Sequence, residues 1–161
     1  MPRVDSQDPL RPSVLDRLID YEPDVSTEPA WQRSQSIRQY ELGVLRDVEA
    51  LLNSRQTKPG LSEEFQQVSQ SVLTYGLPDF TAAGAGNKDD FEALRIAVVR
   101  AIERFEPRLR QVQVIIRDPE NDHDRSLRMV IEGLLWVHPD PVPITFDTIV
   151  KPSGQCEVKP R

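Results

Sequence analysis

An acid, a proline and a base follow one another at Glu106, Pro107 and Arg108. Glu106 is the one acid that we nominate as a proton donor, because it ends a helix with a buried face and a general acid needs an apolar pocket. A glycosidase also needs a second carboxylate across the scissile bond. However, Arg104 and Arg108 lie close to Glu106 in sequence, and nearby cations favour the charged form of a carboxylate. The residues alone therefore favour an internal ion pair over acid catalysis.

The elements on either side of this stretch predict a rigid corner between a helix and a strand. Asp89 and Asp90 stand where an N-cap and a first-turn acid belong. The apolar residues that follow recur at helical spacing and predict one buried stripe: Phe91, Leu94, Val98, Ala101, Ile102 and Phe105. Pro107 cannot continue the helix. After it the pattern changes to period two, which predicts a strand over residues 109–117.

The other groups that often carry chemistry do not form a site in this sequence. His123 lies between Asp122 and Asp124, an arrangement that suits either a metal ion or a solvated turn, and we favour the turn. His138 precedes a proline at a strand end and has no second ligand at metal spacing. Cys156 has no histidine near it and is expected to be an exposed, unreactive thiol. We therefore expect no catalytic residue, no cofactor and no metal.

Length and composition favour one globular domain. The chain has 161 residues, of which 29% are charged and 38% are hydrophobic, and a globule of this size can bury a sizeable core. Its formal net charge of -6 argues against non-specific binding of nucleic acid or anionic membranes. A single cysteine fits a reducing compartment, and there is neither a signal-peptide core nor an apolar run that spans a membrane. We expect a cytoplasmic protein.

The first 33 residues are predicted to be an arm with a short docking helix and a linker. Ser13 caps this helix, whose apolar residues share one face: Val14, Leu15, Leu18 and Ile19. A helix this short is not stable alone, so it must pack either on its own domain or in a helical bundle with neighbouring subunits. Trp31, in the linker, is either an anchor on the domain surface or a contact for another chain.

Two further helices precede the helix of the corner. The first, from about residue 36 to 55, carries Gly43 in its middle, which costs about 1 kcal/mol relative to alanine unless a neighbour packs closely there. The second is expected to turn Val72 and Leu73 inward. It ends at Gly76, which we place as the left-handed residue of its C-terminus.

Three strands are predicted from the corner onwards: about 109–117, 126–138 and 144–151. Gly133, in the middle of the second, indicates a bulge or a close approach of the backbone. Residues 152–161 are polar with two prolines and are expected to form a loose tail. The order predicts an α+β fold, with about four helices on one face of a C-terminal antiparallel sheet of about three strands. One domain would then cover residues 34–151.

Four motifs occur in a fixed order along the chain: SVLDRL at 13–18, LLNSR at 51–55, YGLPDF at 75–80 and RFEPRL at 104–109. Together they resemble the baseplate family that contains the type VI secretion subunit TssE and the related wedge protein of contractile phage tails. The resemblance covers roughly residues 12–150, which is most of the chain.

The resemblance implies a structural, non-enzymatic baseplate subunit. Such a subunit joins the wedge proteins TssF and TssG, with TssK as a further candidate, and starts a sheath of TssB and TssC by strand addition. It implies six copies in each assembly and partner binding through Glu106, Pro107 and Arg108. Two alternatives stay open: a peptidoglycan-degrading, lysozyme-like enzyme, and a regulatory protein that binds a response-regulator adaptor.

Overall fold

Helices come first and strands last in this chain, whose computed structural model describes residues 10, 13–19, 24, 33–57, 66–79, 88–117 and 126–161. The elements are α1 (Val14–Leu18), α2 (Arg33–Asn53), α3 (Gln66–Ser69), a 3-10 turn (Val72–Thr74), α4 (Lys88–Phe105), β1 (Leu109–Arg117), β2 (Leu127–Leu135), β3 (Val142–Val150) and β4 (Cys156–Pro160). The α+β fold class is therefore confirmed. Trp31, His123 and most of the N-terminal arm lie outside the described residues. No helix in the described ranges is long and apolar enough to cross a membrane.

The strands form one antiparallel sheet in the order β1-β2-β3-β4. β1 has the predicted bounds. The expectation of a loose tail at 152–161 is wrong, because β4 pairs along β3 from Val150 to Phe146. Cys156 and Val158 of β4 are 3% and 5% exposed, so two apolar side chains at alternate positions give this short segment a buried face.

Both long helices pack against the same face of the sheet, which we call the inner face. The buried residues of α2 and α4 follow the predicted stripes: Val44, Val48, Leu51, Leu52, Leu94, Val98, Ala101 and Ile102. They meet alternate residues of the strands: Leu109, Val112, Val114, Met129, Ile131, Leu135, Ile144, Phe146, Cys156 and Val158. On the opposite, outer face, Ile115 and Trp136 are 47% and 42% exposed. α2 and α4 therefore cover the inner face of the sheet.

β1 carries a bulge opposite Gly133. The pairing of β1 with β2 shifts between Arg110 and Gln113, where two residues of β1 oppose one residue of β2. Gln111, inside the bulge, has a φ of 53°. A Cβ atom at position 133 would lie 3.4 Å from the carbonyl oxygen of Arg110. The predicted bulge is confirmed, but it lies in β1 opposite the glycine, and a side chain at position 133 would make an ordinary contact there.

The segment between α2 and α4 differs from the helix that the sequence predicts. Val72 is 85% exposed and Leu73 is 42% exposed, so the prediction that both face inward is wrong. The hydroxyl group of Thr74 donates to the carbonyl oxygen of Ser69 at 2.6 Å, and such local bonds compete with helical ones. The chain therefore tightens into a 3-10 turn that buries Thr74 instead. Gly76 has the predicted positive φ, at 100°.

Candidate protein-binding site at the helix-strand corner

The chain turns between α4 and β1 at Glu106, Pro107 and Arg108, which we call the corner. The amide of Glu106 donates to the carbonyl oxygen of Ile102 at 2.8 Å, so the hydrogen bonding of α4 extends into the corner. The amide of Leu109 donates to the carbonyl oxygen of Glu106 at 3.1 Å, which closes a turn around Pro107. Glu106 is 4% exposed, whereas Pro107 is exposed. The corner therefore buries its acid and presents its proline to solvent.

The acid and the base of the corner bind each other. The Nε atom of Arg108 donates to Oε1 of Glu106 at 2.7 Å, and its Nη2 atom donates to Oε2 at 2.5 Å. The backbone amide of Arg108 also donates to Oε1, at 3.1 Å. A two-point contact between planar groups fixes their orientation as well as their separation. The internal ion pair that the residues alone favour is therefore present.

Arg108 also reaches α2 and faces α1. Its Nη2 atom donates to Oδ2 of Asp47 at 2.5 Å, and its guanidinium carbon lies 5.6 Å from the ring centroid of Tyr40. Its remaining nitrogen, Nη1, is buried and makes no hydrogen bond with any described residue. This atom lies 4.0 Å from Oδ2 of Asp16. One arginine thus links the corner to two helices.

Asp16 joins α1 to the same group of charges. Its Oδ1 atom lies 2.8 Å from Nη2 of Arg46, which lies equally close, at 2.8 Å, to Oδ1 of Asp47. A Cβ atom at position 43 would lie 3.0 Å from Oδ2 of Asp16, so α1 is the close neighbour that explains Gly43 in the middle of α2. We call five residues the ion cluster: Asp16, Arg46, Asp47, Glu106 and Arg108.

Two members of the ion cluster, Asp16 and Arg108, keep their charges although their side chains are largely buried. Burial raises the pKa of Asp16, but hydrogen bonds from Ser13 and Arg46 outweigh that effect and leave this pKa below its ordinary value. Burial lowers the pKa of Arg108, and the bonds to Glu106 and Asp47 raise that pKa by more. Asp16 and Arg108 are therefore both charged at neutral pH, and they attract each other across the contact between α1 and the corner.

α1 turns its apolar side chains away from the domain. Val14, Leu15 and Leu18 are 74%, 55% and 76% exposed, whereas the side chain of Asp16 is 14% exposed. Of the two packing modes that the sequence leaves open, the helix does lie on its own domain. It does so through its acid, while Val14, Leu15 and Leu18 remain more than half exposed.

The remaining candidate residues take no part in this site. Cys156 is 3% exposed because it lies on the inner face of β4, so its predicted exposure is wrong. Burial raises the pKa of its thiol, which favours the unreactive protonated form. His138 is exposed, with its ring 6.1 Å from that of Trp136. In the part of the chain that the structure describes, no three His, Cys, Asp or Glu side chains gather as possible metal ligands.

Sequence reasoning finds the corner but misses its partners Asp16, Arg46 and Asp47. Asp47 is separated from Arg108 by 61 positions, and no periodic pattern connects them. The signal in the sequence is Gly43, because a glycine in the middle of a helix marks a close approach by another element. The sequence does not say which element approaches.

Comparison with known proteins identifies the family. Residues 38–140 match the family model described as baseplate wedge protein gp25. This range begins in α2, passes through the corner and extends beyond the end of β2, and it is more than half of the chain. The chain therefore belongs to the baseplate wedge protein gp25 family, which confirms the resemblance carried by its motifs.

A solved structure shares the fold. One chain of "The baseplate complex from the type VI secretion system" matches with a TM-score of 0.50 and 17% sequence identity. The match covers 71% of this chain and 96% of that chain. At this identity the match shows the fold alone. Among curated proteins, no sequence matches this chain.

Proposed function

We propose that this chain is a structural, non-enzymatic and cytoplasmic subunit of a type VI secretion baseplate, which joins the wedge complex and starts sheath assembly. The observation that carries the proposal is the family match, which includes α4 and the corner. The solved structure that shares the fold is a baseplate complex of a type VI secretion system, which favours a secretion machine over a phage tail.

The proposed partners divide between two surfaces. The wedge proteins TssF and TssG, with TssK as a further candidate, meet α1 and the corner. The sheath subunits TssB and TssC meet the sheet by strand addition. Six copies surround the tube, and the symmetry of the assembly supplies this number without strong self-association of the chain.

The exposed apolar face of α1 supports the wedge contact. Val14, Leu15 and Leu18 are all more than half exposed. Burial of apolar surface contributes about 25 cal/mol for each Å² removed from water. A partner helix that lays its own apolar face on α1 would gain this contribution, as in other helix-mediated contacts.

We assign Glu106, Pro107 and Arg108 to the same contact, in different roles. Pro107 is exposed and has a fixed φ, so it offers a rigid surface to an incoming chain. Arg108 supports α1, because its buried Nη1 atom makes no hydrogen bond with the described residues and lies 4.0 Å from Oδ2 of Asp16. Glu106 is 4% exposed, so its part is to orient Arg108.

The lysozyme-like alternative finds no support at Glu106. Both carboxylate oxygens of Glu106 accept hydrogen bonds from Arg108, and the residue is 4% exposed. A general acid must carry a proton and reach its substrate. Glu106 is placed for neither task. No observation favours the alternative of a protein that binds a response-regulator adaptor.

On the β4 side, the sheet is closed to strand addition. The side-chain amide of Asn53 bonds both the amide and the carbonyl oxygen of Cys156, at 2.8 Å each. The Oε1 atom of Glu49 accepts from the amide of Val158 at 3.4 Å. Pro160 has no amide hydrogen to offer. Side chains of α2 therefore occupy the edge that β4 would present to a sheath strand.

The β1 side supports strand addition. The amide of Trp136 donates to the carbonyl oxygen of Arg108 at 2.7 Å. Because hydrogen-bonded and non-hydrogen-bonded pairs alternate along antiparallel strands, this bond indicates which residues of β1 bond to β2. In the register of the two strands, Val114 and Ile116 are at non-hydrogen-bonded positions, so their backbone groups point away from β2. The side chain of Val114 is buried on the inner face at 4% exposure, whereas that of Ile115 is 47% exposed on the outer face. Because the backbone groups on either side of Ile115 point away from β2, we propose that an added strand pairs with the C-terminal end of β1.

The wedge contact is tested by co-purification with TssF and TssG. One variant is Pro107→Ala, and a second combines Val14→Ser with Leu18→Ser. We expect both to reduce recovery of the wedge proteins without a change in melting temperature, because the altered side chains are exposed. Pro152→Ala is the matched control for the proline, since Pro152 is also exposed.

Val72→Ser is the matched control for the α1 variant, because Val72 is an exposed apolar residue in the 3-10 turn. Full recovery of TssF and TssG with both test variants would contradict the assignment of α1 and the corner to the wedge. Clearing of purified peptidoglycan by the wild-type chain, lost in Glu106→Gln, would instead support the enzyme.

A further inference from the structure

Ion pairs join α1 to the domain, whereas most of its apolar side chains are exposed. The helix has five residues, which is too few for stability on its own. Its apolar side chains at Val14 and Leu18 are 74% and 76% exposed, so they contribute little to packing. Asp16 forms the ion pairs that join the helix to the rest of the described chain. The orientation of α1 therefore depends on what Asp16 binds.

Asp16 is itself held in one position. The hydroxyl group of Ser13 donates to Oδ2 of Asp16 at 2.6 Å, and the amide of Asp16 donates back to Oγ of Ser13 at 3.2 Å. The absence of a side chain at Gly43 makes room for the carboxylate against α2. Arg46 approaches from α2 at 2.8 Å, and Arg108 approaches from the corner at 4.0 Å. Three side chains, those of Ser13, Arg46 and Arg108, thus converge on one carboxylate.

The corner controls one of these three approaches. Arg108 cannot turn freely, because Glu106 binds it at two nitrogen atoms and Asp47 binds it again. Its Nη1 atom is left facing Asp16 without a hydrogen bond in the described chain. The corner therefore sets the position of one of the two positive charges that Asp16 faces, and Arg46 of α2 supplies the other, nearer one.

We infer that Asp16 is a positioning residue, whose carboxylate fixes α1 on Arg46 and in front of Arg108 so that the apolar face of the helix points outward. The inference rests on the proposed function, in which that face meets the wedge. It gives the corner a second role, which is to set the direction of α1. A wedge chain then binds a helix that is already oriented, and avoids the cost of ordering it.

Asp16→Asn tests the inference, because it removes the charge and keeps the shape of the side chain. The amide of Ile19 donates to the carbonyl oxygen of Leu15 at 3.1 Å, so its hydrogen exchange reports whether α1 is formed. We expect this amide to exchange about tenfold faster in the variant, and TssF-TssG to bind about tenfold more weakly, as for loss of a partly buried ion pair. The amide of Glu106, bonded to Ile102, serves as the internal reference and should not change.

Glu92→Gln is the matched control. Glu92 also pairs with an arginine, at 2.6 Å from Nη2 of Arg95, but it lies on the exposed side of α4. We expect this variant to leave both the exchange at Ile19 and the wedge affinity unchanged. An equal effect of the two acid-to-amide changes would mean that net charge, and not the position of α1, is responsible.

A disulfide separates positioning from direct contact. A Cβ atom at position 43 would lie 3.3 Å from Cγ of Asp16, so Asp16→Cys combined with Gly43→Cys brings two thiols close together. We expect the oxidised variant to recover slow exchange at Ile19 and wedge binding, and the reduced variant to show neither. If oxidation restores the helix but not the binding, Asp16 itself contacts the wedge and the positioning role is wrong.

The two proposals fail in different ways. If wild-type chain does not bind TssF-TssG, the proposed function is wrong, whatever the exchange at Ile19 shows. If wild-type chain binds and Asp16→Asn keeps both its protection and its affinity, the wedge function stands and the positioning role of Asp16 is overturned.

Discussion

Glu106 and Arg108 illustrate how a buried ion pair depends on both of its members. The side chains of Glu106 and Arg108 are 5% and 17% exposed, so each has exchanged water for the other. Removal of one partner leaves a buried charge without compensation, whereas joint replacement by apolar groups is often neutral. The pair therefore specifies the geometry of the corner more than it raises stability.

Arg108→Ala is expected to lower the free energy of unfolding by about 3–5 kcal/mol, because Glu106 loses the group that compensates its burial. Glu106→Leu combined with Arg108→Met should cost less than this single change, since no charge at the corner is then left unpaired. Urea unfolding of the three proteins measures both values. A double variant that is less stable than Arg108→Ala would contradict this account.

Gly76→Ala is expected to destabilise the chain more than a typical surface change. Gly76 has a φ of 100°, and a Cβ atom there would lie 2.5 Å from the carbonyl oxygen of Ser54, which accepts from the amide of Leu77. Backbone strain alone costs about 1–3 kcal/mol, and the clash with a backbone atom adds to it. Thermal unfolding measures the loss, with Ser153→Ala as a control in an exposed turn.

At the scale of single residues, the sequence is informative where the cause is local. Gly76 is predictable because a helix end followed by a proline needs a left-handed residue, and the pairing of Glu106 with Arg108 is predictable because they are neighbours. The contact of Asp16 with Arg46 joins two helices, and only the packed structure brings them together.

At the scale of elements, β4 shows where periodicity is too weak to predict a strand. It has five residues and ends in a proline, and only Cys156 and Val158 alternate as apolar positions. Its place at the sheet edge depends on α2, where Asn53 lies 103 positions away and bonds the backbone of Cys156. β1 and the two long helices have longer patterns, and these patterns predict them correctly.

Asn53→Ala is expected to cost about 1 kcal/mol of stability, because Cys156 loses two hydrogen bonds to its backbone. It should also open a second sheet edge, and open edges promote association. Light scattering at increasing concentration measures the association, and thermal unfolding measures the stability. Asn53→Asp keeps the oxygen that accepts from the amide of Cys156, so it should lose less stability and associate less than Asn53→Ala. Equal loss of stability and equal association of the two variants would mean that the donated hydrogen bond to the carbonyl oxygen of Cys156 contributes most.

At the scale of the whole molecule, the sequence predicts the architecture but not the attachment of its N-terminal helix. Helical periods followed by strand periods are enough to predict helices on one face of an antiparallel sheet. An amphipathic helix is ordinarily expected to bury its apolar face, and α1 does the opposite. The reason is that Asp16 pairs with the guanidinium groups of Arg46 and Arg108 on the domain, while Val14, Leu15 and Leu18 stay exposed.

The dependence of stability on pH tests this attachment in the intact chain. Because the pKa of Asp16 is lower in the folded chain than its ordinary value of 3.8, the unfolded chain binds more protons in that range. The contribution of Asp16 to stability is therefore fully present above pH 3.8 and is lost as the pH falls through the lower folded pKa.

Asp47 and Glu106 are further acids of the ion cluster, so the pH dependence of stability of one protein alone does not isolate Asp16. The difference in stability between the wild-type chain and Asp16→Asn does isolate it. We expect the stability of wild-type chain and Asp16→Asn, measured by urea unfolding from neutral pH downward, to differ most at neutral pH and to converge in acid. A constant difference across that range would show that the charge of Asp16 does not hold α1.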